Sequence, residues 1–250
     1  MKTYFLSDAH LGCWAIPDNK AHEQKLIKWL DTIEPDCEAL YLLGDILDFW
    51  FEYKQVVPKG FVRFFGKLAS MTDKGIPVHW FCGNHDIWMF RYVQEELGVI
   101  VHTDSITTTI HGKSFFLSHG DGLGDPSVSF KILRKTFHNK FNQWLFSWIH
   151  PDLAIAFGYK WARDSRLKRI NDPETYLGED KEYLVQFAKK HLQSMGDEAP
   201  DFYIFGHRHI LLDLMLSSKN RLCILGDWFN QFSYGVFDGT NFSLELFEEA

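Results

Sequence analysis

No apolar run in this chain approaches the ~18 to 20 residues that a bilayer-spanning helix requires, so an integral helical membrane protein is not expected. Cysteine is scarce: there are four, Cys13, Cys37, Cys82 and Cys223, and none form a Cys-x-x-Cys pair. That argues against a disulfide scaffold and against a thiolate zinc site. The four read as reduced thiols of a cytoplasmic protein, packed mostly in its core. No low-complexity run or internal repeat appears, and the N-terminus enters a strand pattern at once, so no leader is expected. Positive charge is also in deficit. Lys and Arg number 26 against 33 Asp and Glu, a formal net charge of −7, which argues against a general nucleic-acid binder.

Apolar and aromatic side chains are plentiful. The 250 residues are 46% hydrophobic and 16% aromatic, with 9 Trp and 23 Phe. That is enough for one large α/β domain with an elaboration, or for two small domains.

Five short polar motifs punctuate the chain: Asp8-Ala9-His10, Gly44-Asp45-Ile46-Leu47-Asp48, Gly83-Asn84-His85-Asp86, Ser118-His119-Gly120-Asp121 and Gly206-His207-Arg208-His209. Each follows an apolar run that reads as a strand, such as Tyr4-Phe5-Leu6 or Phe202-Tyr203-Ile204-Phe205. Side chains at the ends of neighbouring strands converge on one edge of a sheet, where open α/β folds place their chemistry. Asp, Asn and His suit Mn²⁺, Fe or Zn²⁺ rather than a soft thiolate-bound metal. A histidine outside such a motif is more often a satisfied structural residue. His22, His79, His102, His111, His138, His150 and His191 are read that way.

In the first half, strands alternate with helices expected over 20–33, 61–71 and 87–97. The C-terminal part returns to short strands, with turns at Asn220 and Asp238-Gly239. The expected architecture is α/β, a four-layer αββα sandwich of two mixed sheets. The core spans 1–124 and 171–250, with a helical lid inserted at 125–170. The insertion reads as helical over 127–169, broken at His150-Pro151-Asp152, where Asp152 can cap the following helix. Phe130, Leu133, Phe137, Phe141, Trp144, Leu145 and Trp148 fall on one helical face. The next helix is apolar nearly all round, at Leu153, Ile155, Phe157, Tyr159 and Trp161. From Asp125 to Ile170, nine basic residues oppose three acids, so this segment carries +6 and the remainder −13. It is either a second small core or a lid whose apolar chamber faces the motifs and whose surface is basic. A helix at 179–195 has ordinary amphipathic spacing and belongs with the core.

The five motifs, in this order and over roughly the whole chain, resemble the calcineurin-like metallophosphoesterase superfamily. The resemblance implies the same αββα sandwich and a two-metal hydrolytic site. Asp8, His10, Asp45 and His209 would hold one divalent ion. Asp45, Asn84, His119 and His207 would hold a second, with Asp45 shared. Mn²⁺ is the foremost candidate, with Fe or Zn²⁺ as alternatives. Beside these ligands, His85 is implied as the catalytic group that gives a proton to the leaving oxygen or steadies the phosphoryl charge. Asp48 is expected to orient a ligand and Asp86 to hold His85 in one tautomer, with Asp121 a further outer partner.

Beyond the motifs, the opening Tyr4-Phe5-Leu6-Ser7-Asp8-Ala9-His10-Leu11-Gly12, the run Leu43 to Trp50 and the helical insertion resemble the UDP-2,3-diacylglucosamine pyrophosphohydrolase branch, which acts in lipid A biosynthesis. That branch implies cleavage of the pyrophosphate of UDP-2,3-diacylglucosamine by a metal-bridging hydroxide. The products are UMP and 2,3-diacylglucosamine 1-phosphate. Asp125, Ser165 and Arg169 carry over as substrate contacts. A peripheral place on the anionic inner-membrane face of the cytoplasm is implied, with neither nucleic acid nor a protein partner. The branch's best-known members have Arg where this chain has His85. A related soluble phosphodiesterase or phosphatase, acting on another nucleotide or lipid-linked phosphate, therefore stays open. A metal-binding scaffold of the same fold is the remaining alternative, but such a protein should lack ligands, and none is lacking here.

Overall fold

The computed structural model describes residues 1–125, 127–169 and 175–248, without the side chains of Lys168 and Arg169. Among the described residues, eleven strands build two sheets. The first holds β1 (Lys2–Leu6), β2 (Cys37–Leu42), β3 (Val78–Phe81), β4 (Ile100–His102), β10 (Ser233–Phe237) and β11 (Phe242–Leu246), in the order β11-β10-β1-β2-β3-β4. β1 to β4 run parallel, and β10 and β11 add antiparallel. The second holds β5 (Ile106–Ile110), β6 (Lys113–Ser118), β7 (Phe202–Phe205), β8 (Leu211–Met215) and β9 (Arg221–Leu225), in the order β5-β6-β7-β9-β8. Its central strands are parallel and its two edges antiparallel.

Strand alternation sorts the apolar side chains into layers. Tyr4, Leu6, Leu40 and Leu42 face α1 (Asn19–Ile33) and α2 (Val62–Asp73). Phe5, Tyr41 and Leu43 face the other way and meet Phe115, Leu117, Phe202 and Ile204 of the second sheet. The outer face of that sheet, Phe116, Tyr203 and Phe205, packs on Leu184, Val185 and Ala188 of α7 (Tyr183–Met195). The result is the expected αββα sandwich. Rings such as Phe5 and Phe115, fully buried and stacked 5.9 Å apart, are among the largest contributors to its stability. Burial of one such side chain stabilises by roughly 1.5–3 kcal/mol.

The helix expected over 87–97 shortens to α3 (Tyr92–Leu97). The buried Glu52 carboxylate explains the difference. Its Oε2 accepts from the backbone N–H groups of Phe90, Arg91 and Tyr92 at 2.7, 2.6 and 3.1 Å. The carboxylate thus caps the helix start from about forty positions away, and Ile87 and Trp88 are left to pack as apolar side chains.

The insertion forms three helices rather than two: α4 (Val128–His138), α5 (Lys140–Phe146) and α6 (Pro151–Arg169). The extra break falls at Asn139, whose side chain accepts from Phe141 and Asn142 N–H and so starts α5. Asp152 lies inside the first turn of α6 rather than capping it, because Pro151 already opens the helix; His150 Nδ1 accepts the Asp152 N–H at 3.3 Å. Phe137, Phe146, Ile155 and Tyr159 pack on Phe49, Phe51, Ile87 and Trp88 from the loops that follow β2 and β3. The Trp88 indole also donates to the Phe137 carbonyl at 3.0 Å. Gly158 lets α6 come this close, since a Cβ there would lie 2.2 Å from the Phe49 ring. Among the described residues no helix is long and apolar enough to cross a membrane.

Candidate metal centre

Asp8 and His10 follow β1, Asp45 and Asp48 follow β2, and Asn84 and His85 follow β3. His119 follows β6, and His207 and His209 follow β7. All five strands end on the same edge of the sandwich. Asp8, His10, Asp45, His207 and His209 take left-handed backbone angles, φ between 45° and 68°. Non-glycine residues adopt this region at a cost of order ~1–3 kcal/mol each, and such strain concentrates where function demands an orientation. Gly83 meets a steric need of its own: a Cβ there would lie 2.2 Å from Asp45 Oδ1.

The side chains gather into overlapping groups. Asp8, His10 and His209 form one, and Asp45, His119 and His207 another, each with its ligand atoms within 4.8 Å of one another. His209 Nε2 lies 3.1 Å from Asp8 Oδ1 and 3.3 Å from His10 Nε2. His119 Nε2 lies 3.3 Å from Asp45 Oδ2, 3.2 Å from His207 Nδ1 and 3.4 Å from Asn84 Oδ1. Asp45 Oδ2 also lies 3.9 Å from His10 Nε2, so it stands between the groups. A third group joins His85 to His10 and Asp45.

This donor set fits divalent cations. Asp8 Oδ1 is fully buried with no hydrogen-bond donor, and two imidazole nitrogens face one another beside it. A cation among them would satisfy all three. Burial opposes the charges on Asp8 and Asp45, but the surrounding imidazoles outweigh it: His209 and His10 at Asp8, His119 and His85 at Asp45. Both carboxyls are held below their ordinary range.

The supporting residues differ in part from expectation. Asp48 Oδ1 lies 3.2 Å from His10 Nδ1, which favours the proton there and leaves Nε2 for Asp8 and His209. Asp86 does not hold His85. Its carboxylate accepts from Gly83, Asp45 and Ile46 N–H and from the Trp80 indole, tying the loops after β2 and β3 together. Burial and the neighbouring Asp45 charge push the Asp86 carboxyl up to about 6. The tautomer of His85 is set instead by the Asp48 carbonyl, which accepts from Nδ1 at 2.8 Å, while His85 N–H donates to Asp45 Oδ1. Asp121 pairs with Arg134 of α4 at 2.8 Å.

Two residues here were not singled out from the sequence. Asp227, after β9, accepts from three consecutive N–H groups and folds the turn that sets Phe229 edge-on to His10 and His209. Arg166 of α6 donates to Asp48 Oδ1 at 2.9 Å. Asp227 is preceded by Gly226 after an apolar strand, the same pattern as Gly44-Asp45, and could have been found by that rule. Arg166 could not, since nothing in a basic helix marks which cation turns inward.

A cleft open to solvent adjoins this centre. Asp48, Asn84 and His85 form its polar end. Phe130, Leu133, Phe137, Phe157 and Trp161 of the insertion, with Phe49, Ile87 and Trp88, form an apolar wall. Ser165 lines it; Asp125 does not, its carboxylate accepting from Ser127 N–H in the turn before α4. The Arg169 side chain lies outside the described residues. The apolar face expected to run from Phe130 to Trp148 divides. Its first three members reach the cleft. Phe141 and Trp148 stand 64% and 75% exposed, because the helix restarted at Asn139 turns Phe146 inward in their place.

The histidines read as structural behave so where contacts are defined. His22 meets the Ala9 carbonyl, His79 meets His102, His111 meets Glu38, and His191 meets the Tyr203 hydroxyl. The cysteines are free and buried.

The family model described as calcineurin-like phosphoesterase matches residues 1–211, a span holding all the clustered ligands. A UDP-2,3-diacylglucosamine hydrolase of Porphyromonas gingivalis is 40% identical over 259 residues, covering 99% of this chain and 98% of that protein. One of Vibrio vulnificus is 26% identical over 249 residues, covering 98% of this chain and 97% of that protein. Among solved structures, Yfce, a phosphoesterase from E. coli, aligns at a TM-score of 0.44 and 15% identity, over 95% of this chain and 88% of that one. On the family match and the full-length relative, this chain is a hydrolase that belongs to the calcineurin-like phosphoesterase family.

Proposed function

We propose that this chain hydrolyses the pyrophosphate of UDP-2,3-diacylglucosamine, giving UMP and 2,3-diacylglucosamine 1-phosphate. The observation that carries this reading is the junction of cleft and metal centre. An apolar wall of insertion side chains opens directly onto Asn84 and His85. A small soluble phosphodiester needs no such wall, whereas acyl chains do, at about 0.8 kcal/mol per buried methylene. The names of the relatives at 40% and 26% identity point the same way.

Asp8, His10, Asp45 and His209 would hold one divalent ion, and Asp45, Asn84, His119 and His207 the other, with Mn²⁺ the best candidate. When bound, such ions supply Lewis-acid activation of water and of the phosphoryl oxygens. Asp45 fixes the spacing of the two ligand sets. Asp48 orients His10. His85 stands where centre and cleft meet, with Nδ1 held by the Asp48 carbonyl. That turns Nε2 towards the cleft, and the ring, once it has taken up a second proton to become imidazolium, would give that proton to the leaving phosphate oxygen. The insertion over 125–170 acts as a lid that shelters the acyl chains and excludes water. Its exposed tip, Phe141, Trp144, Trp148 and Leu153, lies in the basic segment and suits shallow insertion into an anionic membrane surface on the cytoplasmic side.

The test is hydrolysis of UDP-diacylglucosamine beside the deacylated sugar nucleotide, with and without Mn²⁺. The expected result is strong preference for the acylated compound and loss of activity on metal removal. Equal rates on both would favour a soluble phosphodiesterase of the same family. Full activity without metal would defeat the two-metal reading.

A further inference from the structure

The basic residues of α6 do not behave alike. Arg163 is half exposed, pairing with its neighbour Asp164 at 3.8 Å and lying over the Trp14 ring. Arg166 turns inward. Its side chain is 19% exposed, and its Nη2 donates at 2.9 Å to Asp48 Oδ1, a carboxylate that is itself 1% exposed. Its guanidinium carbon also lies 5.2 Å from the centre of the Phe229 ring.

Both contacts lead to the same place. Asp48 Oδ1 lies 3.2 Å from His10 Nδ1. Phe229 sits edge-to-face with His10 at 5.7 Å and with His209 at 5.4 Å. A cation–π contact holds one face of the phenyl ring, and a charge-assisted bond holds the carboxylate. Asp48 Oδ2 is buried without a hydrogen-bond partner, so Oδ1 bears the contacts that fix this side chain. Without Arg166, a buried carboxylate loses its guanidinium partner and is free to rotate, which removes the contact that orients the His10 ring. Phe229 would at the same time lose the group that packs it against His209.

We infer that Arg166 is a positioning residue of the metal centre. Through it the insertion helix α6 completes the surroundings of His10 and His209, so the ion site built on Asp8, His10 and His209 is fully formed only when α6 is seated. The insertion is thus part of the centre as well as a cover for substrate. The inference rests on the two-ion reading of the centre but not on the identity of the substrate.

The test is titration of the metal-free full chain with Mn²⁺ by calorimetry, together with turnover of bis(p-nitrophenyl) phosphate, a diester without acyl chains. Arg166→Met should weaken binding of one of the two ions by roughly 10- to 100-fold, the range for losing a partner that orients a ligand. It should lower kcat for the small diester more than it changes KM. Arg166→Lys, which keeps charge but not the fork, should fall between. Arg163→Met on the same helix should match the wild type. Wild-type affinity for both ions in Arg166→Met would overturn the inference. So would equal weakening of both ions with a matching fall in melting temperature, which marks general loosening. If Arg166→Met does not fold, Arg166→Lys decides: a native melting temperature with one weakened ion supports the inference, and two wild-type affinities overturn it. Failure of the wild type to cleave acylated sugar nucleotides would sink the substrate proposal and leave this one standing.

Discussion

At the scale of single residues, Asp45 and His85 separate two kinds of contribution. Asp45 Oδ2 stands 3.3 Å from His119 and 3.9 Å from His10, so it lies between the two ligand groups. His85 meets Asp48 and Asp45 through its ring and backbone and faces the cleft. Asp45→Asn is therefore expected to lower metal content and activity together, by ~10²-fold or more in turnover. His85→Ala should keep both ions and lose roughly 10²- to 10⁴-fold in turnover, the range for a lost general acid. Elemental analysis beside steady-state kinetics checks the pair. Metal loss in His85→Ala would make His85 a ligand; a fully loaded, active Asp45→Asn would dismiss the bridging role.

At the scale of elements, the insertion presents two apolar surfaces with different expected uses. Phe157 and Trp161 of α6 line the cleft yet remain 54% and 44% exposed, so little of the fold's stability rests on them. Phe157→Ser or Trp161→Ser should weaken hydrolysis of the acylated substrate tenfold or more. Loss of even two methylene-sized contacts at ~0.8 kcal/mol each reaches that factor. The small diester should be spared. Trp148→Ser, on the outward tip, should leave both reactions in detergent unchanged and reduce binding to anionic vesicles. Parallel loss on both substrates in the α6 variants, tracking melting temperature, would reduce the insertion to a packing element.

At the scale of the whole molecule, acid should loosen the fold through a half-buried histidine pair between β3 and β4. His79 and His102 contact each other at 2.9 Å, with His79 stacked on Tyr41 and His102 on Phe81. Burial, then the neighbouring His102, lowers His79 to about 4, from an ordinary value of 6.5. Burial lowers His102 as well. The unfolded chain therefore takes up a proton first as pH falls. This contribution to stability is whole above about pH 6.5 and declines towards pH 4. Denaturation midpoints measured at about pH 7 and about pH 4.5 should fall less in His79→Gln than in the wild type. An identical fall would place the acid sensitivity elsewhere.

The sequence alone determined the layers and marked the candidate ligands. Strand alternation sends Phe5 one way and Tyr4 and Leu6 the other, and each ligand motif stands directly after its strand; these are local properties with a short period. Some positions could be settled only by folding. Glu52 delays the start of the helix expected over 87–97 from about forty residues away. Asp86 binds backbone donors instead of His85, and Asn139 divides one apolar face into a cleft wall and an exposed tip. Arg166, one cation among several on a basic helix, finds Asp48 across 118 positions. Periodicity and motif spacing record what a residue does for its own segment. Partners brought together by chain closure leave no such period, so the support of the metal centre and the division of the insertion were decided by tertiary structure.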